Sequence, residues 1–253
     1  MSFDLTGKRA LVTGASRGIG RAIAVAYAQA GADVAILARN GDLLAEVAEE
    51  ITGHGRQATV AVADVLDPDA TRSAVSGAIG ELGGLDVLVN NAGGNSFSTP
   101  VAQMRMSGWD KTMRLNLDSI MHITQEALPA LGEGKSGSII NVSSVAGLRG
   151  APTMAHYGAA KAALISLTQT LAIETAWMGV RVNALVPGWI ETDLTDFLRS
   201  SKEAELGTLS RVPMQRWGTV EEIAEPAIFL ASDASSFMTG QSLIVDGGLS
   251  AMP

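Results

Sequence analysis

Cysteine is absent from the 253-residue chain. That excludes disulfides, a thiolate metal site and a cysteine nucleophile. Positive charge is scarce: 18 Lys and Arg stand against 26 Asp and Glu, a net charge of -8. An acidic chain with no basic run is poorly suited to nucleic acid or an anionic membrane. Long apolar runs are missing as well, and none approaches the ~20 residues that span a bilayer. Met1 to Lys8 lack the basic-then-apolar layout of a signal peptide, so a cytoplasmic location is expected. No repeat, low-complexity tract or Pro/Gly/Ser linker divides the chain, and one domain is expected over 1–253. With 47% hydrophobic and 17% charged residues, it can bury a large core and is not disordered.

What is present is an alternation. Arg9 to Val12, Val34 to Leu37, Thr59 to Ala63, Leu85 to Val89, Ser138 to Val142, Arg181 to Val186 and Leu243 to Val245 read as strands. Helical patterns lie between them: Gly18 to Gly31, Leu43 to Ile51, and one opening at Pro68 behind Asp67 as N-cap. Others cover about 104–131, 153–178 and 220–231. Such an order predicts an α/β fold: a Rossmann-like, doubly wound, seven-stranded parallel sheet with helices on both faces. Gly188 to Val212 has weak periodicity and reads as a loop or a helical lid, with 189–212 as the lid segment.

Thr13 to Gly20 lies between the first strand and the first helix. Its Gly14, Gly18 and Gly20 are spaced G-x-x-x-G-x-G. Glycines permit a tight turn, and a helix N-terminus offers free N–H groups to a pyrophosphate. The segment Gly14, Ser16, Arg17, Gly18, Ile19, Gly20 is therefore a candidate dinucleotide loop. A site that prefers NAD carries a carboxylate at the end of the second strand. Here the strand runs into Ala38-Arg39-Asn40. Arg39, helped by Arg17, could hold a 2′-phosphate in forked geometry, so NADP(H) is expected over NAD(H), with Asn40 beside it. Asp64 and Val65 follow the third strand, where the carboxylate could accept from the adenine amine.

Tyr157 and Lys161 are four residues apart and share a helix face. A tyrosine of pKa about 10 is a poor acid or base at neutral pH. A nearby ammonium is expected to lower that value and make the phenol a usable general acid/base. No histidine among His54, His122 and His156 is assigned a direct role, and no G-x-S-x-G turn marks a hydrolase serine.

Taken together, Thr13 to Gly20, Asn90-Asn91-Ala92-Gly93, Asn116, the Ser144, Tyr157 and Lys161 set, and Pro187-Gly188 resemble the short-chain dehydrogenase/reductase family over essentially the whole chain. The ending Thr239 to Gly248 is similar to that of bacterial 3-oxoacyl-(acyl-carrier-protein) reductases and their ketoreductase relatives. The resemblance implies reduction of a carbonyl by hydride transfer, with Tyr157 as proton donor. Lys161 would tune the phenol and bond the nicotinamide ribose, and Ser144 would donate to the carbonyl oxygen. Asn116 would interrupt its helix and hold a water against Lys161. Asn91, Ala92 and Gly93 would line the cofactor's adenosine-ribose side, and Pro187, Gly188, Ile190 and Thr192 would border the nicotinamide. Ser143 would be structural, and no metal is implied. Relatives suggest a homotetramer.

Acyl carrier protein is a possible partner by the same resemblance. Its acidic surface needs basic residues at the mouth, and the stretches 131–135 and 173–181 offer only Lys135 and Arg181. A polyketide, sugar, polyol or diketone is the rival small-molecule substrate. A dinucleotide-binding regulator without catalysis is the reading from another class.

Overall fold

The computed structural model describes residues 3–252. Seven strands form one sheet: β1 (Arg9–Thr13), β2 (Asp33–Ala38), β3 (Ala58–Val62), β4 (Val87–Asn90), β5 (Ser138–Val142), β6 (Arg181–Pro187) and β7 (Ser242–Val245). Their order is β3-β2-β1-β4-β5-β6-β7, and every pairing is parallel. Val34 to Leu37, Leu88, Val89, Ile139, Ile140 and Ala184 to Val186 are fully buried. Strands covered on both faces read as continuous apolar runs, and that is why they stood out in the sequence.

On one face lie α1 (Gly18–Gln29), α2 (Gly41–Gly53) and α9 (Glu221–Ala231), which contribute Ile23, Tyr27, Leu44, Ile51, Ile223 and Leu230 to one core. On the other lie α3 (Pro68–Leu82), α5 (Ser119–Glu133) and α6 (Ala155–Thr175), with Val75, Leu82, Ile123, Leu131 and Leu171 in a second core. Burying each such side chain contributes roughly 1.5–3 kcal/mol. Asp67 caps α3 as expected, accepting from the N–H groups of Asp69 and Ala70 at 3.2 and 3.1 Å.

Two segments differ from the expectation, and a third settles an alternative left open. The stretch 104–131 is not one regular helix. It is α4 (Met106–Met113), a π-helical turn over Arg114–Asp118, and then α5. Asn116 supplies the reason: its Nδ2 donates to the Thr112 carbonyl at 3.0 Å, the acceptor that a regular helix gives to the Asn116 backbone N–H. β4 begins two residues later than Leu85, because Asp86 accepts from the Arg9 backbone N and Nε, each at 2.9 Å, just before the strand. Within Gly188 to Val212, two short helices form, α7 (Asp196–Arg199) and α8 (Lys202–Leu209). Among the described residues, no helix is long and apolar enough to cross a membrane.

The strand order reverses between β1 and β4. The loops that leave these two strands diverge there and open a crevice at the carboxyl ends, the usual ligand position in such sheets.

Candidate active site

The crevice floor is stitched by Thr13 at the end of β1. Its Oγ1 accepts from the backbone N–H groups of Asn91 and Ala92, each at 3.0 Å, and donates to the Val89 carbonyl at 3.2 Å. Asn91 returns the contact: its Nδ2 donates to the Thr13 and Gly14 carbonyls at 2.9 and 3.2 Å. The Asn91 amide thus locks the two loops together, and its N–H groups are spent on backbone. Gly20, in the first turn of α1, sits on Gly14 so closely that a Cβ would fall 2.3 Å from the Gly14 carbonyl oxygen. Arg17 stands at the N-cap of α1 in extended conformation and makes no side-chain cap. The first N–H groups of that helix are left to an outside acceptor. A glycine cradle and an uncapped helix end fit a dinucleotide pyrophosphate.

Ser16, Gly18 and Ile19 lie in this same loop. A Cβ on Gly18 would meet Thr192 at 3.6 Å, so the segment after β6 reaches over the loop. Arg17 Nη1 is 3.0 Å from Asp193 of that segment. On the adjoining rim, Arg39 Nη1 is 3.8 Å from Asp64. Both pairs are largely exposed, so each is weak and readily exchanged. Asn40 caps α2, its Oδ1 accepting from Asp42 and Leu43 at 3.1 and 3.2 Å. Asp64 Oδ1 accepts from Leu66 N–H at 3.0 Å, and Val65 is buried. Pro187 ends β6, Gly188 donates to the Val245 carbonyl at 2.9 Å, and buried Ile190 bridges to Gly218.

Ser144 and Tyr157 meet where β5 and α6 approach. Ser144 caps a short 3-10 turn, Val145–Gly147, its Oγ accepting from Ala146 N–H at 3.2 Å. Ser143 is buried, and its Oγ donates to the Lys161 carbonyl at 2.9 Å, a structural tie as expected. Lys161 is only 3% exposed, and its Nζ donates to the Val142 carbonyl at 2.8 Å. Burial pulls its pKa from 10.5 to about 8. Nζ lies 5.7 Å from the Tyr157 ring centroid.

One expectation is corrected here. The tyrosine pKa is raised from its ordinary value, not lowered. Burial of the phenol dominates, and Ser144, hydrogen-bonded to it, acts the other way. Lys161 is turned toward the Val142 carbonyl, and burial eases its proton off.

Asn116 is fully buried. Its Oδ1 accepts from Gly94 N–H at 2.9 Å, and its Nδ2 donates to the Gly94 carbonyl at 2.9 Å. A Cβ on Gly93 would fall 2.7 Å from Asn116 Oδ1 and 3.4 Å from Lys161 Nζ, so Gly93 is the gap across which these two groups face each other. The Asn116 side chain is thus engaged in holding the Gly93–Gly94 loop.

Sequence reasoning passed over Thr13 as a hub and the contact of His156 with Asn95 and Phe97. Thr13 had a signal, its place at the head of the glycine run. His156 had none, since its partners are about sixty residues away in the chain.

A family model described as enoyl-(acyl carrier protein) reductase matches residues 14–250. The chain belongs to the short-chain dehydrogenase/reductase family. It is 41% identical over 252 residues to a 3-oxoacyl-[acyl-carrier-protein] reductase of Chlamydia trachomatis, covering 98% of this chain and 100% of that one. A gluconate 5-dehydrogenase from Burkholderia cenocepacia, solved with NADP and tartrate, superposes with a TM-score of 0.94 at 38% identity, covering 99% of this chain and 98% of that one. A 7α-hydroxysteroid dehydrogenase, solved with NADH and 7-oxo glycochenodeoxycholic acid, superposes at 0.93 with 35% identity, covering 97% and 95%. The chain is therefore an oxidoreductase that uses a nicotinamide dinucleotide.

Proposed function

We propose that the protein is an NADP(H)-dependent reductase that converts a ketone to a secondary alcohol, with 3-oxoacyl thioesters as the first substrate class to test. The observation that carries this is the meeting of Ser144, Tyr157 and Lys161 beside the dinucleotide crevice. Bound in the crevice, the dinucleotide supplies the hydride. Tyr157 Oη gives its proton to the oxygen that becomes an alkoxide. Ser144 donates to the same oxygen and stabilises charge as it forms. Lys161 would bond the nicotinamide ribose and, with a water near the π turn around Asn116, would restore the proton to Tyr157.

Preference for NADP(H) is supported by Arg17 and Arg39 on the rim and by the lack of a carboxylate at Ala38-Arg39-Asn40. A 2′-phosphate would take each guanidinium from its weak carboxylate partner. A small or thioester-linked ketone is favoured over one docked on acyl carrier protein, because the chain carries a net charge of -8. A sugar acid is the second reading, favoured by likeness to the gluconate 5-dehydrogenase fold. The assembly proposed is a homotetramer. It is supported by Ile173 and Trp177, 80% and 82% exposed at the end of α6, and by a shallow groove of Met121, Ala163, Leu167 and Thr170 between α5 and α6.

The test is loss of NADPH or NADH absorbance with 3-oxoacyl thioesters, diketones, sugars and sugar acids. Tyr157→Phe should lower kcat by about 10²–10⁴-fold and leave NADPH affinity unchanged. A kcat near wild type in that variant would sink the assignment. Tight NADPH binding with no turnover on any substrate would favour the regulator instead.

A further inference from the structure

His156 is a buried titratable group that the proposed chemistry does not use. It is 0% exposed and sits in the first turn of α6, one residue before Tyr157. Its Nε2 is 2.9 Å from Asn95 Oδ1, with the amide oxygen assigned to that side. An oxygen only accepts, so Nε2 carries the hydrogen. The imidazole lies flat on Phe97, the ring centroids 4.1 Å apart and the planes 13° from parallel. The far edge of Phe97 is closed by α4, where a Cβ on Gly108 would fall 2.8 Å from Phe97 Cζ. The imidazole on the face of the phenyl ring and the Gly108 backbone at its edge therefore join α6, the loop after β4, and α4.

The N-terminus of α6 needs such support. Its N-cap is Met154, with no side-chain cap, and Thr153 just before it has φ +65, a strained value for a β-branched residue. First turns without caps are where helices fray. Tyr157 is the third residue of that turn. The loop that faces it is held elsewhere too: Asn116 grips Gly94 from both sides, and Thr99 N–H donates to the Thr153 carbonyl at 2.8 Å. Between these two ties, among the described residues, His156 makes the only side-chain hydrogen bond and ring stack from the loop to the catalytic turn.

We propose that His156 is a positioning residue for Tyr157: its hydrogen bond to Asn95 and its stack on Phe97 replace the missing cap of α6 and hold the phenol in register with the loop that walls the substrate side. This rests on Tyr157 being the general acid. A reacting group must be held within about 0.5 Å of its productive place. A misplacement of about 1 Å costs on the order of 10²-fold in rate.

The experiment uses the full chain with the most active substrate of the panel and compares His156→Phe, His156→Gln, Asn95→Ala and the double variant His156→Phe/Asn95→Ala. His156→Phe keeps a ring on Phe97 and loses the donor, and His156→Gln keeps an N–H of similar reach. His156→Phe and Asn95→Ala are each expected to lower kcat by about 10–100-fold, with NADPH affinity and substrate KM within about threefold of wild type. The double variant should be no slower than the worse single one, and His156→Gln should regain part of the rate. Wild-type kcat in both single variants, or additive losses in the double, would overturn the proposal. If His156→Phe does not fold, Asn95→Ala at a half-exposed loop position and Gly108→Ala, which pushes Phe97 against the imidazole, carry the same comparison. Tyr157→Phe run alongside separates the two readings. An active Tyr157→Phe removes the acid itself, whereas a dead Tyr157→Phe beside fully active His156 and Asn95 variants removes only the positioning role.

Discussion

Lys161 stands in the core with one hydrogen bond, to the Val142 carbonyl, and no carboxylate beside it. Its pKa falls from 10.5 to about 8, so the folded protein binds this proton less tightly than the unfolded chain. The stability it takes part in is complete above pH 10.5, declines as pH drops toward 8, and is level below that. The difference between those two pKa values corresponds to roughly 3 kcal/mol, set against about 1 kcal/mol for the bond to Val142. Lys161→Met should therefore abolish turnover and raise the melting temperature at pH 7. Melts across pH 7 to 10.5 should show that advantage shrinking as pH rises. A gain that is flat with pH would mean the lysine charge is not the cause. The spacing of Tyr157 and Lys161 was legible in the sequence, because a helix brings i and i+4 together. The direction of the tyrosine shift was not. It depends on how deeply both groups are buried and where the ammonium points, and neither is encoded locally.

The π turn at Arg114–Asp118 exists because one side chain outcompetes the backbone for the Thr112 carbonyl. Asn116 also holds both backbone groups of Gly94. Asn116→Ala would leave those groups without partners, at about 1–3 kcal/mol for each one that stays buried. Urea unfolding should show a loss on the order of 2–4 kcal/mol, and hydrogen exchange should quicken at the α4–α5 junction and at Gly94. Unchanged exchange there would mean the turn is held by something else. Hydrophobic periodicity read this stretch as one helix, since a single inserted residue per turn barely disturbs the apolar pattern. β5 and the cap at Asp67 were read correctly, each marked by local chemistry. The start of β4 was missed, because a long-range contact decides it, and the segment after Gly188 was left between loop and helix, because it is short and mostly polar.

At the scale of the molecule, the apolar residues left outside are as informative as those within. Ile173 near the end of α6 and Trp177 in the turn just after it are exposed, and half-buried Ala163 and Leu167 lie on the same helix one turn or more before them. Exposed apolar stripes of this kind mark contact surfaces. The double substitution Ile173→Glu with Trp177→Glu should lower the mass seen by light scattering while leaving the circular dichroism of the subunit intact. An unchanged mass would remove this face from the proposed assembly. The parallel sheet has a consequence of its own. Gly14 follows β1, Arg39 β2, Asp64 β3, Asn91 β4, Ser144 β5 and Gly188 β6. Residues scattered from the second to the nineteenth decade of the chain thus become neighbours only when six strands are in register together. No proteolytic fragment can inherit the site, and turnover reports on the integrity of the whole sheet at once.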